Sequence, residues 1–318
     1  MSTALTRREF AAFAGASLLA RPAFAQTDAL LTRAIPGSGE RIPVVGLGTA
    51  SVFDVVGEAT RGKAKAVIQA LVANGGRIID TASTYGDAEV VVGDEMAASN
   101  LRDRIFIATK LESPNAAELQ RSLSRLKTKT VDLLQLHNVQ RSNQSLAQFR
   151  AWKSQGICRY IGVTSTYHRD FPAVEAVLRR EKPDFVQVDY SIDVRDAEKR
   201  ILPLAADVKA GVLTALPLGH GRLFRAVRGQ AIPDWATGFA GSWAQFFLKY
   251  LLGDSRVSAV IPGTGDPNIC STILAQCVAA CRTRRSARRW FRSSKRCSRR
   301  RLKRRRASSW FHPVSKFV

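Results

Sequence analysis

The sequence predicts an α/β fold, a (β/α)8 TIM barrel, on three observations. Between residues 41 and 265 short β-branched runs recur with helix-like segments between them, the pattern of repeated βα units around a parallel sheet. Eight such runs can be counted, which suits a closed barrel better than an open doubly wound sheet. The first run is followed by Gly46-Leu47-Gly48-Thr49 and then Phe53-Asp54, without the third glycine and the helix start of a Rossmann phosphate turn. With 318 residues and 45% hydrophobic content, the chain has apolar mass for one such domain.

In chain order, the first element is a leader over residues 1–25. Thr6-Arg7-Arg8-Glu9-Phe10 precedes a weakly apolar run at 10–19, and Ala23-Phe24-Ala25 places small residues before Gln26. The run is far shorter than the roughly 20 residues a bilayer core requires, so it reads as an export signal cleaved after Ala25 rather than a membrane span. The paired arginines resemble a twin-arginine signal, which implies the Tat export machinery as a partner and the periplasm as the destination. No other stretch is long and apolar enough to span a membrane, so the body is not expected to be an integral membrane protein.

The body, residues 26–266, carries strand runs at 42–47, 77–80, 105–109, 131–136, 159–163, 185–188, 212–215 and 257–261. The first seven begin about 25 to 35 residues apart. The longer last gap holds Ile232-Pro233-Asp234-Trp235, an excursion, and then a helix over 242–251. In such a barrel chemistry sits where strands end. Asp80 closes the second run, Tyr85 follows in the loop Thr81-Ala82-Ser83-Thr84-Tyr85-Gly86, Lys110 closes the third run and His137 the fourth. Taken singly these are a helix cap, a packed aromatic and solvated strand ends. Together they set a carboxylate, a phenol, an ammonium and an imidazole on one rim. Lys110, held by Asp80, would help Tyr85 protonate a developing alkoxide.

The strings GGRIIDTASTYGDAE, IFIATKL, VDLLQLHN, GICRYIGVTS and FVQVDYS, in this order and spacing, resemble the aldo-keto reductase superfamily over residues 41–266. The resemblance implies hydride transfer from NADPH to the carbonyl of a small aldehyde or ketone. It makes Tyr85 the general acid, lets Lys110 and Asp80 tune it, and has His137 orient the substrate carbonyl. It also implies cofactor contacts. Thr164 and Ser165 stand where the family has Ser-Asn at the carboxamide, and Gln187 matches the carboxamide ligand. Leu216-Pro217-Leu218-Gly219-His220-Gly221-Arg222 resembles a loop closing over the pyrophosphate, through Pro217, Leu218, Gly219, Gly221 and Arg222. This leaves the aromatic partner of the nicotinamide unidentified. Ile261, Pro262, Gly263 and Thr264 match the phosphate loop after the eighth strand. Where the family often has Lys and Arg for the 2′-phosphate this chain has Gly263 and Asn268, which leaves NADH open.

Residues 267–318 form the last segment. The formal net charge is +23, of which 267–318 carries +16 with no acidic residue. The charge is therefore confined to the tail, and no specific nucleic-acid partner is expected for the body. Residues 282–306 hold 15 Lys or Arg in 25, dotted with Trp290, Phe291 and Cys297. Such a tail could bind anionic polymers or lipid surfaces, which gives the alternative function of a weakly active or inactive barrel scaffold. Cys270, Cys277, Cys281 and Cys297, with His312, are separated by 6, 3 and 15 residues and match no common zinc spacing, so no metal is expected. The third reading is a frameshift. Read one base out of frame with free choice of synonymous codons, 269–284 spells MLDNLGAMRGRLPDAA, which restores acids and removes cysteines. On that reading the final barrel helix is missing, replaced by a poorly ordered basic tail.

Overall fold

Pro43 decides where the barrel begins. The run 42–47 reads as one strand, but proline has no N–H with which to continue a ladder, and the structure divides the run. Arg41–Pro43 (β2) pairs antiparallel with Thr32–Ala34 (β1), a hairpin that the sequence reading lacked. Gly46–Gly48 (β3) then becomes the first barrel strand. The computed structural model describes residues 30–54 and 57–275. The leader and the basic segment from 276 onward lie outside the described residues, and with them Cys277, Cys281, Cys297, His312 and the expectations attached to them.

After β3 come Ile78–Asp80 (β4), Phe106–Leu111 (β5), Val131–Leu136 (β6), Cys158–Ser165 (β7), Phe185–Asp189 (β8), Gly211–Ala215 (β9) and Ala259–Val260 (β10). They are hydrogen-bonded in sequence order and all parallel. Single parallel bridges, Val45 to Val260 and Gly48 to Gly263, join the last strand to the first. This is a closed (β/α)8 barrel. Glycine is required at Gly46, because a Cβ there would lie 2.8 Å from Ile261 Cδ1 and 2.9 Å from Ile78.

Side chains alternate along each strand, so one set fills the barrel and the other meets the helices. The filling set includes Ile78, Phe106, Leu133, Phe185, Leu213 and Ile261, with Ile35 and Ile42 added from the hairpin. Glu40, next to the hairpin, anchors it by accepting from Arg159 at 2.9 and 3.0 Å and from the Tyr160 hydroxyl at 2.6 Å. The outer layer consists of Glu58–Ala73 (α1), Ala88–Ala98 (α2), Ala116–Arg125 (α3), Ala147–Ser154 (α4), Phe171–Glu181 (α5), Asp196–Lys199 (α6), Ile201–Asp207 (α7), Arg222–Ala226 (α8), Asp234–Thr237 (α9), Trp243–Leu252 (α10) and Pro267–Ala275 (α11). On α1 the buried residues Ala64, Val67, Ile68 and Leu71 form the i, i+3, i+4, i+7 stripe of a core-facing helix. Helix α10 starts at the expected place, with the Ser242 hydroxyl capping the Gln245 N–H.

Helix α11 corrects the expectation that nothing packed follows Pro267. Asp266 caps it by accepting from the N–H of Asn268 at 2.8 Å, and Pro267 starts it. Cys270, Ile273 and Leu274 are buried on one face, packed against α1, and the Asn74 side chain on that side donates to Ser271 Oγ at 3.2 Å. The first nine residues beyond 266 thus carry an apolar stripe and no basic residue. Among the described residues no helix is long and apolar enough to cross a membrane, and no group of His, Cys, Asp and Glu is arranged to hold a metal.

Candidate active site

Parallel strands deliver their C-terminal residues to one mouth of the barrel, and the register decides which side chains meet there. Asp80 is the last residue of β4, and Lys110 stands next to last in β5. Both are buried, at 4% and 2% exposure. Lys110 Nζ donates to Asp80 Oδ2 at 2.7 Å and to the Thr81 carbonyl at 2.7 Å. The ammonium also lies 5.0 Å from the centre of the Tyr85 ring. Burial opposes the charge on Lys110, but Asp80 and Tyr85 beside it outweigh that effect and hold its pKa above the ordinary lysine value.

The Tyr85 loop is fixed from two sides. Its backbone N–H donates to Ala82 O at 3.1 Å, and its carbonyl accepts from Ala88 at the start of α2. From α3, Glu118 accepts from the Ser83 hydroxyl at 2.6 Å and from the Glu112 backbone N–H at 3.0 Å, which ties the loops after β4 and β5 together. His137, just past β6, sets its ring edge-on to Tyr85 with centroids 5.8 Å apart. Burial and then the Lys110 charge push the His137 pKa below the ordinary histidine value, against the opposite pull of Glu112 and Asp80. The structure therefore brings Asp80, Tyr85, Lys110 and His137 together on the wall of one cavity of about 390 Å³.

Eight of the expected cofactor contacts share that wall: Thr164, Gln187, Pro217, Leu218, Gly221, Ile261, Pro262 and Gly263. Thr164 Oγ1 accepts from the Asn138 N–H at 3.0 Å, so its own hydroxyl hydrogen is left to donate. Gln187 Oε1 accepts from Gln135 Nε2 at 3.3 Å, which leaves the Gln187 amide N–H groups as donors. Four expected contacts lie off the wall. Ser165 is buried and its oxygen accepts from Tyr167 N–H at 3.2 Å; Gly219 is buried in the turn it makes with Leu216. The Arg222 guanidinium is committed to Asp193 through two bonds of 2.8 and 3.0 Å. Thr264 Oγ1 accepts from Asp266 N–H at 3.1 Å at the start of α11.

The sequence reading missed Glu112, Gln135, His220 and Phe224. Glu112 had a usable signal. It lies two residues after Lys110, and the period of a strand sends both side chains to the same side. Gln135 is an inward polar residue of β6, accommodated because Gly162 opposite it has no side chain. His220 and Phe224 reach the cavity through a loop in which Leu216 and His220 have positive φ, 51° and 49°, and no local pattern announces that path.

A model of the Aldo/keto reductase family matches residues 44–280. An aldo-keto reductase of Mycolicibacterium smegmatis is 32% identical over 57% of this chain, which covers 64% of that relative's length. The methylglyoxal reductase DkgB of Salmonella typhimurium is 27% identical over 74% of this chain and 87% of its own. Among solved structures, an aldo-keto reductase from Klebsiella pneumoniae in complex with NADPH has a TM-score of 0.70 and 24% identity, covering 83% of this chain and 96% of that one, a likeness of fold. The matched span runs from β3 through α11, and the chain belongs to the aldo/keto reductase family.

Proposed function

We propose that the chain is an NADPH-dependent oxidoreductase that reduces the carbonyl of a small aldehyde or ketone, with Tyr85 as the proton donor. The observation that carries this reading is the buried Asp80–Lys110 pair set against the Tyr85 ring on the cavity wall. The cavity suits a nicotinamide. Thr164 and Gln187 line it with hydrogen-bond donors left over from their protein partners, which suit the oxygen of a carboxamide. When bound, the dinucleotide supplies the hydride. Lys110, kept charged by Asp80, stabilises the negative charge left on Tyr85 Oη as its proton moves to the carbonyl oxygen. His137, edge-on to the Tyr85 ring on the same cavity wall, offers a polar group to the substrate. The NADPH named with a structural neighbour and the methylglyoxal named with a relative support this reading.

Steady-state oxidation of NADPH with a panel of short aldehydes tests it. Turnover is expected, and Tyr85→Phe should lower kcat by about 10² to 10⁴ while dinucleotide binding persists. Absence of both turnover and dinucleotide binding in the full chain would overturn the reading in favour of an inactive scaffold. We further propose export to the periplasm through the Arg7-Arg8 leader, and a tail over residues 267–318 that arises from a frame shifted from Asn268 onward. Mass spectrometry of the protein made in its source cell reads both. A first peptide at Gln26 and acid-containing final peptides support them; an intact leader or Arg-rich final peptides count against them.

A further inference from the structure

The N-terminal ends of the strands form the face opposite the active-site mouth, and a second cavity of about 340 Å³ opens there. Its wall carries four arginines and three carboxylates. Two of the arginines are fully engaged. Arg159 directs its fork at Glu40, at 2.9 and 3.0 Å, and at Asp132, at 2.8 Å. Arg102 donates to Asp132 at 3.1 Å and to the carbonyls of Ile105 and Thr130 at 3.1 and 3.0 Å. Asp132, only 6% exposed, also accepts from the Ile107 N–H at 2.8 Å, so these groups form a fixed floor. The other two arginines keep free donors. Arg41 holds Thr32 through Nε and Nη2, at 2.8 and 2.7 Å, and Arg77 holds the Arg104 carbonyl through Nε at 3.2 Å. Among the described residues, Nη1 of Arg41 and both terminal nitrogens of Arg77 have no acceptor, and the third carboxylate, Asp103, has no donor.

We propose that this face holds a second ligand site, separate from the reductase cavity, that takes a small hydroxylated phosphate ester: Arg77 and Arg41 bind the phosphate, and Asp103 accepts from a hydroxyl of the ligand. Guanidinium N–H groups match phosphate oxygens in spacing and charge. Glu40 does not compete for them. Against its burial, bonds from Arg159 and Tyr160 and the charges of Arg159 and Arg77 hold its carboxyl below the ordinary glutamate value, and its oxygens are already answered. Asp103 sets the rest of the ligand. A bare phosphate would meet that carboxylate as a like charge, whereas an ester with a hydroxyl gives it the donor it lacks. The cavity volume is at the low end for small-molecule sites, which suits a ligand of a few carbon atoms. Arg41 belongs to the hairpin strand β2, Arg77 precedes β4 and Asp103 precedes β5, so the ligand would tie the hairpin to the barrel.

Titration calorimetry of the full chain with glycerol 3-phosphate, which has no carbonyl to be reduced, tests the site, once alone and once with NADPH present. One saturable site is expected in both titrations. Arg77→Gln should weaken it by about tenfold, the worth of one hydrogen bond to a charged group, and added salt should weaken it as well. Arg77 is exposed, and a urea midpoint equal to that of the native chain shows that the variant is folded. Inorganic phosphate should bind less tightly than the ester, and Asp103→Ala should reduce that preference by about tenfold. Absence of saturable binding, an affinity unchanged in both Arg77→Gln and Arg41→Gln, or inorganic phosphate binding as tightly as the ester overturns the proposal. Binding that vanishes when NADPH is present belongs to the dinucleotide cavity and overturns it too. NADPH oxidation should be unaltered in Arg77→Gln, so this site and the reductase reading stand or fall separately.

Discussion

At the scale of single residues, the Asp80–Lys110 pair concentrates both stability and chemistry. With side chains only 6% and 3% exposed, each charge depends on the other. Asp80→Ala leaves a buried ammonium with no carboxylate, only the Thr81 carbonyl and Tyr85 beside it, and the expected loss is about 3–5 kcal/mol, read by urea unfolding at pH 7. The pH dependence has a definite sign. The folded pKa of Lys110 lies above its ordinary value, so its contribution is fully present below about pH 10.4 and is lost as pH rises through the folded value. The gap between the native protein and Asp80→Ala should therefore hold at neutral pH and narrow in strong alkali. Asp80, Lys110 and His137 were legible in the sequence because each stands at a strand end, where a barrel exposes its chemistry. Glu112 was legible through strand period alone, whereas Phe224 depends on a loop path set by backbone angles that side-chain pattern does not encode.

At the scale of elements, the spacing of α2 from α3 is set by Gly93. In most helices alanine would replace glycine with a gain of about 1 kcal/mol. Here a Cβ would lie 2.1 Å from the Arg125 carbonyl oxygen and 2.8 Å from Leu126 Cα, backbone atoms that cannot swing away. Gly93→Ala should instead destabilise by about 1–3 kcal/mol, measured as a lowered urea midpoint with unchanged slope. Because α2 follows the Tyr85 loop and α3 carries Glu118, forcing these helices apart should also weaken turnover. The strands from β4 to β9 were readable because buried parallel strands are continuous β-branched runs. The hairpin was hidden inside the run 42–47, where only Pro43 marks the break. Helix α11 was obscured by the basic composition downstream of it, although its own stripe of Cys270, Ile273 and Leu274 follows helical spacing.

At the scale of the whole molecule, charge and fold divide the chain differently. Residues 267–318 carry +16, yet the packed barrel continues to 275. A boundary drawn on composition at 266 therefore falls before the helix that covers α1. The barrel itself is a hoop of uneven strength. Between β6 and β7 the register runs from Val131–Cys158 to Leu136–Val163, whereas β10 offers two residues and the closure rests on isolated bridges at Val45–Val260 and Gly48–Gly263. If the sheet unrolls, it does so there, and the amides of Gly48 and Val260, which donate across that seam at 2.9 Å, should exchange with solvent faster than those of β6. Gly48 and Gly263 also face the cavity from the two sides of this join. A ligand lying against both would act as a rivet, so that filling the site and completing the hoop become one event, visible as slowed exchange at these two amides when NADPH is added.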